Sequence, residues 1–209
     1  MRKRFRLVLP AVAVLCVAGC QHVPSKSKIA GQQYYDSGFR AEQEGNLTLA
    51  RIHFNRAYEF AQTRRLGPAS EAAALYEWSR ITGYLGMTPE AEAGFTNALA
   101  LIDASRGQAE QLRPLTLCEL ARLLHDTRQH ARAVPVFQSA VNELQRVGAP
   151  QKDPLGFADL LDDYVDSLRA SGEPDVADAI STRSVAIRVE HQTDIVRFQP
   201  RRYGGAGAK

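Results

Sequence analysis

Small and aromatic residues return along this chain at spacings of 4, 3 and 4. In "ARIHFNRAYEFA" the set is Ala50, Phe54, Ala57 and Ala61. In "AEAGFTNALALI" it is Ala91, Phe95, Ala98 and Ile102, and in "AVPVFQSAVNEL" it is Ala133, Phe137, Ala140 and Leu144. That spacing keeps four side chains on one helical face. The small residues let a neighbouring helix approach, and the Phe fills the gap beside them. A weaker fourth copy starts at Ala177, with Ser181 and Ser184 in place of Phe and the second Ala. The leading alanines are 41, 42 and 44 residues apart, a period that signals a solenoid. An apolar partner helix precedes each copy, and turn signals divide the elements. The pattern predicts eight helices, over 32–44, 47–63, 69–84, 89–104, 110–127, 130–147, 155–171 and 174–196, and no strand. Thr88 is expected to cap its helix, with Pro89 at the first helical position and Pro174 playing the same part later. "DTRQHARA" has no Gly and is read as a turn from its place in the series. Pro135 is expected to bend the sixth helix slightly.

The N-terminal pattern is of another kind. A basic tip, "MRKRFR", leads into "LVLPAVAVLCVAG", and the chain turns polar after Cys20. The apolar run is shorter than the roughly 20 residues a spanning helix needs, and the whole reads as a secretory signal. Val17-Ala18-Gly19-Cys20 resembles the lipobox of bacterial lipoproteins. That resemblance implies a signal peptide over 1–19, removed before Cys20, and acylation of the Cys20 thiol and amine. Residues 20–30 would then be the lipidated cysteine and its tether. Gln21 stands where an Asp would resemble an inner-membrane retention signal, which favours the outer membrane.

The repeating part resembles the tetratricopeptide repeat (TPR). Tyr34, Gly38, Gly45, Ala50, Phe54 and Ala57 fall at that family's signature spacing. The second copy keeps Leu75, Gly86, Ala91, Phe95 and Ala98, with Ser79 in place of the small Gly. The third keeps Leu117, Ala121, Ala133, Phe137 and Ala140, and the fourth only Leu161, Gly172 and Ala177. The resemblance implies an all-α fold: a right-handed α-solenoid of about four TPR-like helix pairs over 31–197. The period exceeds the family's usual length, so helices or turns between repeats must be longer. Residues 198–209, Gly-rich and basic, are expected to be a flexible tail; the alternative is a weak electrostatic contact with an anionic polymer.

Charge and chemistry narrow the function. The chain has 26 basic and 23 acidic residues. Loss of Arg2, Lys3, Arg4 and Arg6 with the signal leaves 22 against 23, so no basic patch of a nucleic-acid binder remains. Of three cysteines, Cys16 leaves with the signal, Cys20 takes lipid, and Cys118 cannot form an internal disulfide alone. His53, His125, His130 and His191 lie on different helices and form no HExxH pair. Cys118 and His125 would stand about 10 Å apart along one helix, too far for a nucleophile and its base. Asp159, Asp162, Asp163 and Asp166 are either a solvated helix face or a place for a cation. No phosphate loop or GxSxG elbow appears. No enzyme activity, cofactor, metal or small-molecule substrate is expected.

By position in the repeat, the TPR resemblance places Tyr35, Phe39, Tyr76, Arg80 and Tyr84 on a concave binding face, with Arg122, His125, Asp162, Asp166 and Arg169. Arg80 and Arg122 are expected to be exposed, to reach a carboxylate-bearing partner segment, and to contribute little to stability. The chain reads as a membrane-anchored cell-envelope adaptor or scaffold, facing the periplasm from the outer membrane. It resembles outer-membrane TPR lipoproteins that dock cell-wall hydrolases. The alternative is a pilotin-like assembly factor for a pilus or secretion-system secretin.

Overall fold

The structure, a computed structural model, describes residues 26–192 and 201–204, with side chains for 31–192 and 201–204. The expected signal peptide, Cys20 and the tether up to residue 25 lie outside the described residues. Among the described residues, eight long helices form four antiparallel pairs: α1 (Lys26–Gln43) with α2 (Leu47–Thr63), and α3 (Pro68–Tyr84) with α4 (Thr88–Ala104). α5 (Arg113–Asp126) pairs with α6 (His130–Arg146), and α8 (Pro154–Ala170) with α9 (Pro174–Glu190). One short helix, α7 (Ala149–Lys152), bridges the last two pairs, and a 3₁₀ turn (Glu110–Leu112) precedes α5. No strand occurs among the described residues. No helix there is long and apolar enough to cross a membrane.

The predicted face is the core. Ala50, Ala91, Ala133 and Ala177 are fully buried, as are Phe54, Phe95 and Phe137. Burying each Phe contributes about 2–3 kcal/mol. Close approach of the paired helices has a visible cause. A Cβ on Gly38 of α1 would fall 2.7 Å from the Phe54 ring. In the second pair Ser79 takes that place, and the small residue moves across to Gly94 of α4. A Cβ there would lie 2.1 Å from Ser79 Oγ. The buried Ser79 hydroxyl is satisfied by donating to the Leu75 carbonyl at 2.6 Å.

The four turns within pairs are built alike. The amides of Asn46, Met87, Gln129 and Glu173 donate to the carbonyls of Ala41, Thr82, Leu124 and Leu168. This is a Schellman-type ending, which needs a left-handed residue one position earlier. Gly45, Gly86 and Gly172 fill that position, and Arg128, with φ of 61°, fills it in the third turn. The turn without Gly is therefore a turn, at the cost of strain on Arg128.

Some boundaries differ from expectation. α1 starts at Lys26, inside the expected tether, and α9 ends at Glu190. The cap of α4 is Met87, with no side-chain cap bond, so Thr88 and Pro89 are its first two residues. Pro174 does open α9. α2 packs on α3, α4 on α5 and α6 on α8, while α3 touches α5 and α5 touches α8. So α1, α3, α5 and α8 form one layer, and α2, α4, α6 and α9 form the other.

Candidate functional site

The inner layer forms an open cleft of about 400 Å³ between α3, α5 and α8. Tyr76, Glu77, Arg80 and Tyr84 come from α3, and Leu115, Cys118, Glu119 and Arg122 from α5. Leu144, Phe157 and Leu160 add apolar wall. Four residues expected in the groove, Tyr76, Arg80, Tyr84 and Arg122, thus meet in one place. Tyr35 and Phe39 lie elsewhere. They stack on each other and meet the Phe54 ring edge-on, beside a second, apolar hollow of about 500 Å³ with Phe60, Leu66 and Leu112.

His125 sits between α5 and α8, with Nδ1 3.0 Å from Ser167 Oγ and Nε2 3.8 Å from Asp163. Asp162 and Arg169 are not groove residues. Asp162 accepts from Ser184 and Arg188 of α9, and Arg169 pairs with Asp178 of α9 at 3.1 Å. Both point to the paired helix because the inward side of α8 runs through Gly156, Leu160 and Asp163. Asp166 is exposed; the Arg202 guanidinium is held above its ordinary pKa chiefly by its hydrogen bonds to Asp163, with Asp126 and Asp166 adding to the same direction. The acidic run is therefore divided: Asp159 and Asp162 meet Arg188, and Asp163 meets Arg202. No group of metal-ligating side chains occurs among the described residues.

The electrostatics reverse the sequence expectation. Arg80 is only 15% exposed, and its guanidinium grips Glu42 of α1 with two bonds of 2.6 Å and Glu77 at 2.8 Å. It also lies over the Tyr84 ring. Arg122 lies 3.5 Å from Glu119 and 3.9 Å from Asp163. Arg80 is therefore taken up by carboxylates of its own chain, whereas Arg122 is held only at 3.5 Å by Glu119 and its buried Nε has no hydrogen-bond partner. Burial pushes the Glu77 carboxyl above the usual carboxylate range despite Arg80, and burial likewise raises Asp126. Burial also drives the Cys118 thiol up to about 12, which leaves it inert as a nucleophile.

The sequence held a signal for these acids. Shifting Asp36 by the alanine periods of 41, 42 and 44 gives Glu77, Glu119 and Asp163. Every inner helix thus carries a carboxylate at one repeat position. Three residues on stand Arg80 and Arg122, each paired with the carboxylate of its own repeat. In the fourth repeat that position is Asp166, so Asp163 has no arginine of its own.

Its arginine comes from the C-terminal segment, where a flexible tail was expected. Arg202 binds Asp163 with two bonds of 2.6 and 2.7 Å and reaches Asp126 at 3.2 Å. The Tyr203 amide donates to Asp126 at 2.7 Å, and its hydroxyl donates to Glu119. Tyr203 is 3% exposed and stacks on Tyr84 with centroids 4.8 Å apart. Arg201 covers the same Tyr84 ring at 5.5 Å. Gly83 makes the recess: a Cβ there would be 2.6 Å from the Tyr203 ring.

The sequence matches no protein-family model and no curated protein. Among solved structures it is similar to BtubC (BKLC) from P. vanneervenii, with a TM-score of 0.70 and 17% identity over 88% of this chain and 72% of that one. MamA gives 0.48 and 13% over 83% of this chain and 100% of that one. Kinesin-light-chain TPR-like repeats from Podosopora anserina give 0.42 and 14% over 83% and 100%. The fold is a TPR-like helical-repeat solenoid.

Proposed function

We propose that this chain is a non-catalytic adaptor of the bacterial cell envelope, anchored by lipid on Cys20, which holds a protein partner in the cleft between α3, α5 and α8. The observation that carries the reading is the cleft itself. It is open, its wall is apolar, and Tyr76, Tyr84, Arg80 and Arg122 converge on it. Aromatic residues and arginine dominate protein-binding hot spots. Arg80 is already held by Glu42 and Glu77, so little ordering of that side chain remains when a ligand enters. The anchor rests on the basic tip, the short apolar run and the four lipobox residues.

Leu115 is the place to test this. It lies at the cleft and is 48% exposed, so Leu115→Glu leaves the core intact. Full-length protein would be taken from membranes with its anchor in place, and bound proteins recovered. Leu115→Glu should lower capture at least tenfold with unchanged melting, a loss of about 1.4 kcal/mol or more. Undiminished capture would remove the cleft from the account. A cell-wall hydrolase among the recovered proteins would mark an adaptor, and a secretin would mark a pilotin-like factor.

A further inference from the structure

We propose that Gly83, Glu119, Asp126 and Asp163 form a recognition site for an arginine–tyrosine segment of a partner protein, which the chain's own Arg202 and Tyr203 occupy until that partner displaces them. The proposal rests on the reading that the concave face binds protein, and it names the chemistry of what binds.

Three observations carry it. The first is charge. With Arg202 removed, Glu119, Asp126 and Asp163 face a single guanidinium, that of Arg122, which lies beyond hydrogen-bond distance of Asp163, and the His125 ring, whose Nε2 stands 4.0 Å from Asp126 and 3.8 Å from Asp163. Carboxylates gathered this closely repel one another and call for a cation. A guanidinium suits the site better than an ammonium because Asp163 takes it through two parallel bonds. The second is shape. Gly83 leaves a slot against Tyr84 into which one aromatic ring fits, and Glu119 at its end accepts a phenol hydroxyl. The third is the backbone bond from the Tyr203 amide to Asp126. It holds the peptide link between the two side chains, so the site takes them as adjacent residues of one peptide in a fixed register. The slot also adjoins the open cleft through Tyr84 and Glu119. A longer partner segment can therefore enter the cleft and continue into the slot, replacing a two-residue occupant by mass action.

The test is fluorescence anisotropy with a labelled peptide, QPRRYGG, the sequence of residues 199–205. It would be titrated into the full chain, into Arg202→Glu/Tyr203→Ala, and into that variant with Gly83→Ala added. Releasing the tail should tighten peptide binding at least tenfold over the parent. Adding Gly83→Ala, which fills the slot, should abolish that gain, as should replacing Tyr by Ala in the peptide. If the double variant melts early, Arg202→Ala alone, at a half-exposed side chain, should still give a gain of severalfold. Equal affinity for parent and released variant, no binding to either, or indifference to Gly83→Ala would overturn the proposal. So would a dimer of the parent that Arg202→Glu dissociates, since the tail would then be exchanged between copies. The Leu115→Glu capture result is independent of these titrations. A failed peptide with capture still lost at Leu115 refutes only the arginine–tyrosine site.

Discussion

Arg128 shows most plainly what one residue can and cannot choose. Its three counterparts in the repeat are glycines at φ of 77°, 80° and 82°. The backbone bond from Gln129 to Leu124 forces the same left-handed geometry on an arginine. An L-residue there costs about 1–2 kcal/mol, and the extra freedom of Gly in the unfolded chain returns part of that. Arg128 is exposed, so nothing else is lost on replacement. Arg128→Gly should stabilise by about 0.5–1 kcal/mol and raise the melting temperature by about 2 °C. A lower melting temperature on calorimetry would contradict this. At this scale the buried face was legible, because alanine and phenylalanine at spacings of 4, 3 and 4 admit one reading. The acids were not. Asp36, Glu77, Glu119 and Asp163 become a series only when the inner helices are placed in the register of the outer ones.

The elements themselves followed from periodicity and breakers, and most long helices end within a few residues of expectation. α7 was missed because "APQK" is one turn with no apolar period. The phase of α8 was misjudged, which sent Asp162 and Arg169 to the wrong side. What joins elements was the least legible of all. Arg80 was expected to be an exposed groove residue of little structural weight. It is instead mostly buried and ties α1 to α3 through Glu42. Arg80→Glu would leave Glu42 and Glu77 without their cation and add a third carboxylate among them. Breaking a buried pair in this way costs about 3–5 kcal/mol, somewhat less at this partial exposure. Urea unfolding should register a loss of about 2–3 kcal/mol, with Arg80→Gln between it and the parent. An unchanged midpoint would mean that α1 is held by Phe54 and its ring contacts alone.

On the scale of the whole molecule, four helix pairs leave one continuous inner face with apolar wall, convergent aromatics and an acidic stripe. The sequence pointed to the solenoid and to which helices face inward. It did not point to the sign of that face, because sign depends on which charges neutralise one another across elements. Nor did it place the C-terminal segment, whose glycines signal freedom while two of its side chains are held in the groove. The central claim is that the inner face is where a partner binds, and site-specific photocrosslinking in cells tests it most directly. A photoreactive residue would replace Leu115 at the cleft, and in a second protein Val189, which is 65% exposed on α9. The account predicts a discrete crosslinked partner from position 115 and none from position 189. A partner captured from position 189 and absent from position 115 would contradict it.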